Sequence, residues 1–169
     1  NKLVRSKDPE VVKLADQISQ IFGDLSVSED ALKLVLNEDA NLDQRKEALA
    51  GLVAMRFEEL PGNLGSLLNT DLKIDAIRAY SFFDYSKAPR ELITEYEEFD
   101  TVAKRATIDT LASKKSYARA LLEALRTKKI TKAEIPNYTA RNLQKMFGAS
   151  FNKVYGRILE MGELSEISK

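Results

Sequence analysis

Along most of the chain, apolar positions recur every three to four residues, the spacing that places them on one face of a helix. After Asp8-Pro9-Glu10, a capping residue followed by proline at the first helical position, Val11, Val12, Leu14, Ala15, Ile18, Ile21 and Phe22 form such a set. Gly23 reads as its stop. Ser28 reads as the cap of a short second helix through Ala31, Leu32, Leu34, Val35 and Leu36. Asn41 or Asp43 starts a third, with Ala48, Leu49, Leu52, Val53, Met55 and Phe57 inward, and Pro61-Gly62-Asn63 is a turn. Thr70-Asp71 caps a helix through Ile74, Ile77 and Tyr80; Ala88-Pro89-Arg90 opens one through Leu92, Ile93 and Tyr96; Asp100-Thr101 caps one through Val102, Ala106, Ile108 and Leu111. Ser113 reads as the cap of the next, which carries Tyr117, Ala118, Leu121, Leu122 and Leu125. Pro136 breaks the chain. Two helices follow, one with Leu143, Met146 and Phe147, the other with Phe151, Val154, Tyr155, Ile158 and Leu159; the segment after Gly162 reads as frayed. Period-two alternation is nowhere sustained, so the expected class is all-α.

The helices also repeat. Gln44 to Leu52, Leu72 to Tyr80 and Val102 to Leu111 each begin with charged residues, carry a small residue at Ala48, Ala76 or Ala106, and continue with bulky apolar ones; the small residues are 28 and 30 residues apart. Small residues let helices approach closely, and stacked helix pairs bury a core that one pair could not. The expectation is a HEAT-like α-solenoid, a superhelical stack of antiparallel helix pairs, with residues 1–169 as a single helical-repeat domain. The opening Asn1 to Lys7 has neither a methionine nor an apolar signal core, which reads as a piece of a longer protein.

Composition narrows the chemistry. With 44% apolar and 31% charged residues the chain is of ordinary globular make-up. It has no cysteine and no histidine. That excludes disulfides, Cys/His zinc sites, a Cys-x-x-Cys-His haem attachment within this chain, and every nucleophilic triad that uses histidine as its base. Its seven glycines form no phosphate-binding loop. The carboxylates of Glu95, Glu97, Glu98 and Asp100, and of Glu58 and Glu59, read as solvated helix ends, since neighbours on a helix point in different directions. No catalytic, cofactor-binding or metal-ligating residue is assigned, and the chain is read as non-enzymatic. No run approaches the ~20 apolar residues of a membrane span.

Net charge is zero but unevenly spread: residues 1–100 hold 12 Lys/Arg and 20 Asp/Glu, and residues 101–169 hold 14 and 6. Lys114, Lys115, Arg119, Arg126, Lys128, Lys129 and Lys132 crowd the basic half. Basic side chains at a helix C-terminus are favoured by its dipole, and Lys114 and Lys115 read as solvated loop or first-turn residues. The alternative is a phosphate-tracking surface, disfavoured because Tyr117 is the one aromatic nearby that could stack on a base. The candidate partner surface is therefore Lys114, Lys115, Arg119, Lys128, Lys129 and, near the terminus, Tyr155. Phe147, Phe151 and Tyr155 read as core packing or, where exposed, as a docking face for a neighbouring domain.

From Thr110 onward the chain resembles a known family. Thr110-Leu111-Ala112-Ser113, Tyr117 to Leu125, Lys129-Ile130, Ile135-Pro136, Tyr138 to Leu143 and Val154-Tyr155-Gly156 look like the HEAT-like linker of PVC-type cytochrome c, or membrane-bound dehydrogenase-domain, proteins. The likeness covers roughly residues 99–160, with tyrosine at 155 where the family commonly has tryptophan. It implies a linker between a propeller domain of sugar-dehydrogenase type and a small c-type haem domain beyond this chain. It also implies a periplasmic or exported setting, and partners that are neighbouring domains of the same polypeptide or another protein.

Overall fold

The computed structural model describes residues 9–158, and its regular elements are all helical, with no strand among the described residues. The expected features at Asn1 to Asp8, at Leu159 and after Gly162 lie outside the described residues. Two compact units are delimited, Asn1–Leu60 and Pro61–Lys169.

In the first unit a long helix α1 (Pro9–Leu36) packs on α2 (Leu42–Ala54). Gly23 does not stop α1. A mid-helix glycine costs about 1 kcal/mol relative to alanine, but its backbone does not take the left-handed conformation that would end the helix, and apolar spacing continues beyond it. Nor does Ser28 cap anything. Its hydroxyl donates back to the Asp24 carbonyl at 2.9 Å, one turn earlier, the way a serine is accommodated inside a helix. Asn41 does cap α2, accepting from the backbone N–H groups of Asp43 and Gln44 at 3.0 and 3.2 Å.

Arg45, which opens the charged start of this helix, is buried; its Nε donates to the Val35 carbonyl at 3.0 Å. The last turn of α1 leaves such carbonyls without intrahelical partners, so the guanidinium closes that helix end. Val35, Leu49, Leu52, Phe57 and Leu60 form the core. The expected inward face of α1 is corrected in its first half. Val12, Leu14 and Ile18 are exposed, Leu14 at 57%, because α2 is short and covers only part of α1; Leu25 is exposed as well, and Val27 points away from the side on which its neighbour Ser28 is buried against Met55. The side chains of Ala15, Ile21 and Phe22 lie outside the described residues.

The second unit begins with the Pro61–Asn63 turn and a 3-10 turn at Leu64–Leu67. Among the described residues six helices follow: α3 (Lys73–Ala79), α4 (Ala88–Glu95), α5 (Thr101–Ala112), α6 (Lys115–Arg126), α7 (Asn137–Phe147) and α8 (Ala149–Tyr155). Helix α3 packs on α5 and α5 on α7; α4 packs on α6 and α6 on α8; α5 and α6 touch, as do α7 and α8. Pro89 sits in the first turn of α4 and Asp100 caps α5, accepting from the Ala103 N–H at 2.8 Å. Thr70-Asp71 lies one step early: Leu72 holds the cap position of α3, and the Thr70 hydroxyl accepts from its N–H at 3.2 Å. Ser113 stays in helical conformation and donates back to the Thr110 carbonyl at 2.7 Å, leaving Lys114 in the cap position of α6.

Between these layers lie small buried residues, Ala76, Ala103, Ala118 and Ala140, and large ones, Leu72, Ile77, Leu92, Leu121 and Phe151. Side-chain hydrogen bonds join elements 26 to 38 residues apart in the chain. The Thr110 hydroxyl donates to the Ile77 carbonyl, and Arg105 donates to the Tyr138 hydroxyl. Tyr117 donates to the Phe83 carbonyl at 2.7 Å and accepts from the Tyr85 N–H at 3.0 Å.

Burial raises the phenols of Tyr80, Tyr96 and Tyr117 above the ordinary tyrosine value, reinforced for Tyr80 by Glu91 and for Tyr96 by Glu134. A group whose folded pKa is raised contributes stability that is present below its unfolded pKa and lost as pH rises above it. Alkaline titration is therefore expected to leave these three of the chain's six tyrosines silent in near-UV absorbance until the unit unfolds. Tyrosinate absorbance from all six before any loss of helical circular dichroism would refute it.

Candidate partner-binding surface

The candidate basic residues divide between the two ends of α6. At its start, Lys115 and Arg119 are exposed, but Lys114 is not the solvated residue expected. Its Nζ donates to the Phe83 carbonyl at 2.7 Å, pairs with Asp84 at 3.1 Å and lies 4.9 Å from the centre of the Tyr117 ring, leaving its side chain 22% exposed. Lys114 is thus a strut inside the fold.

At the other end, α6 closes with Arg126, whose guanidinium is paired with Glu123 at 2.6 Å. Lys128 then takes φ +60°, the left-handed conformation usual for glycine after a helix. The chain turns through Ile130 into a 3-10 turn at Lys132–Glu134. Helix α8 packs back on α6 and brings Lys153 and Val154 to the same place. The result is a groove of about 470 Å³. Its floor is Leu125, Ile130 and Val154, and its rim carries Arg126, Lys128, Lys132 and Lys153. Lys129 is exposed beside it without lining it.

Among the described residues Lys128, Lys132 and Lys153 have no ion pair. The nearby carboxylate is engaged elsewhere: Glu134 accepts from the Thr131 N–H at 2.7 Å, the Thr131 hydroxyl at 2.8 Å and the Tyr96 hydroxyl at 3.2 Å. Tyr155 is half-buried rather than a free docking residue. Its ring stacks on Phe151 at 4.8 Å, and Lys132 Nζ lies 5.9 Å from its centre. Phe151 is fully buried and Phe147 half-buried.

Burial pushes the Glu134 carboxyl up, but the three hydrogen bonds and the charge of Lys104 outweigh it, so its pKa lies below the ordinary carboxylate value. A depressed pKa contributes stability that is present above the unfolded value and lost as pH falls through the folded one. Glu134→Gln is expected to flatten the loss of stability on acidification below about pH 5, at the expense of stability at neutral pH. An unchanged acid limb in denaturant titrations would refute this.

Sequence reasoning missed Lys153, because only the return of α8 onto α6 brings it to the groove. It likewise missed a second groove of about 510 Å³ along α3 and α5, lined by Arg78, Val102 and Arg105 among others. There Arg105 is held by the Tyr138 hydroxyl and Asp109.

Of the acidic clusters, Glu58, Glu59, Glu97, Glu98 and Asp100 are exposed, and Asp100 is a helix cap. Glu91 and Glu95, one turn apart on α4, line a groove of about 430 Å³, with the Tyr80 hydroxyl donating to Glu91 and Asn69 donating to Glu95. Two carboxylates on one helix face are not the opposed pair that glycoside chemistry uses. Among the described residues no three metal-ligating side chains gather, and no helix is long and apolar enough to cross a membrane.

No family model, curated protein or solved structure matches the chain.

Proposed function

We propose that this chain is a HEAT-like α-solenoid segment that does no chemistry of its own and acts as a scaffold or interaction module within a larger protein. The observation that carries this reading is the order of packing in the second unit. Alternate helices α3, α5 and α7 succeed one another in one row, and α4, α6 and α8 in another, with side-chain bonds joining elements 26 to 38 residues apart. The two rows of alternate helices are what nearest-neighbour stacking of helix pairs produces. Exposed Leu14, Ile18 and Leu25, which share one face of α1, add to it, since a helix with an uncovered apolar stripe is suited to packing against another element.

On the resemblance of residues 99–160, the larger protein is an exported redox protein in which this segment lies between a propeller dehydrogenase-like domain and a c-type haem domain. The neighbouring domains are then its partners, and haem belongs to the adjacent domain, since the chain has neither cysteine nor histidine to attach it.

The test is the mass of the native gene product together with an assay for covalent haem. A much larger polypeptide carrying c-type haem supports the linker reading; a stand-alone product near 19.0 kDa without haem overturns it. Small-angle scattering tests the solenoid separately. A compact globule of this length has a radius of gyration of roughly 15 Å; a clearly larger value for the monomer would support the solenoid, and a value near that of the globule would count against it.

A further inference from the structure

We propose that the groove between the end of α6 and α8 is a docking site for an acidic peptide segment of a partner, one that alternates apolar and carboxylate side chains. This rests on the reading of the chain as an interaction module and names the chemistry of what it would hold.

A lysine at a helix C-terminus can be explained by the helix dipole alone, and that accounts for Lys128. It does not account for Lys132, which follows in a separate turn, or for Lys153, which arrives from α8. These three ammonium groups line one groove and none is paired among the described residues. Of the described carboxylates nearby, Glu123 is taken up by Arg126 and Glu134 by bonds with Thr131 and Tyr96. Like charges gathered around one cavity repel each other, and an incoming carboxylate row relieves that repulsion.

The floor then selects the kind of anion. Leu125, Ile130 and Val154 offer an apolar surface under the basic rim, which suits side chains of a peptide lying between its carboxylates. A single-stranded nucleic acid would place phosphates on the lysines and stack its bases on aromatic faces. The one ring at the site, Tyr155, is already stacked on Phe151 and roofed by Lys132. The backbone supplies a further observation. Lys128 holds a left-handed conformation that favours glycine, so local stability does not call for a lysine there. Arg56 does the same after α2, so the conformation alone argues nothing; it is the convergence of Lys128 with Lys132 and Lys153 that does.

The experiment uses the full chain and fluorescence anisotropy with three probes: a short capped peptide of alternating leucine and glutamate, the same peptide with glutamine for glutamate, and a single-stranded oligonucleotide of equal charge. The acidic peptide is expected to bind and the glutamine peptide not. Lys132→Glu with Lys153→Glu is expected to weaken peptide binding by about tenfold or more. Lys128→Gly should weaken it several-fold while leaving the melting temperature equal or higher, because glycine relaxes the left-handed residue. Lys115→Glu with Arg119→Glu, at the far end of α6, should leave binding unchanged.

Equal losses from both pairs of charge reversals would mean undirected attraction between charges and overturn the proposal. Absence of peptide binding would overturn it too, leaving the scaffold reading to be decided by the mass and haem of the native protein. Tighter binding of the oligonucleotide than of the peptide, steeply weakened by salt, would overturn both in favour of a nucleic-acid-binding surface.

Discussion

Ala76→Leu should destabilise the second unit by roughly 2–3 kcal/mol, near the upper end of what overpacking a dense core costs. Ala76 is fully buried on α3, the helix that packs on α5. Its methyl is the size that lets the two backbones come close enough for the Thr110 hydroxyl to reach the Ile77 carbonyl at 3.1 Å. A leucine there must either push α3 from α5, breaking that latch, or drive neighbours off their rotamers. The matched control is Ala48→Leu. The repeat places Ala48 in register with Ala76, yet it is only half-buried on α2, so the added side chain finds room or water and the cost should stay below about 1 kcal/mol. Urea titrations of both variants decide it. Equal costs would mean that small residues in these two helices play the same part, and that close approach is not what Ala76 provides.

That contrast also shows how far the sequence was legible. The three-fold likeness of Ala48, Ala76 and Ala106 is visible as spacing, but spacing does not say whether a neighbouring helix arrives on that face. Helix starts were readable where one side chain can act in one direction only: Asn41 and Asp100 accept from the turn that follows them, and Pro89 is tolerated only near a beginning. Serine has no such direction. Ser28 and Ser113 both bond backwards to earlier carbonyls, because the backbone around them was already helical, which tertiary packing and not the residue decides.

The charged positions were the least legible. Arg45 and Lys114 look like solvated residues in a polar run, and both reach main-chain carbonyls outside their own helix, Arg45 that of Val35 in the last turn of α1 and Lys114 that of Phe83, which it shares with Tyr117. The groove on the basic side was half visible, since Lys128 and Lys132 are close in sequence, but its completion by Lys153 depends on α8 folding back on α6.

Gly65→Ala should destabilise the same unit by about 1–2 kcal/mol, and the sign should reverse when Glu91 is removed. The backbone at Gly65 is in the ordinary region, where alanine stabilises by about 0.4–1 kcal/mol through the unfolded chain. Opposing that, a methyl at this position would stand 3.0 Å from Glu91 Oε2 and 3.6 Å from the Tyr80 hydroxyl. A free glutamate would swing aside at little cost. Glu91 is held by the hydroxyl of fully buried Tyr80, and moving its carboxylate leaves that hydroxyl without an acceptor, a loss of about 1–3 kcal/mol. Glu91→Ala alone should cost a similar amount for the same reason, but it empties the space the new methyl needs. In that background Gly65→Ala should be neutral or mildly stabilising, giving a coupling energy of about 1–3 kcal/mol in the double-mutant cycle. Additive effects would show that the glycine is there for the turn itself, and that the carboxylate and the phenol are not what keeps a side chain out.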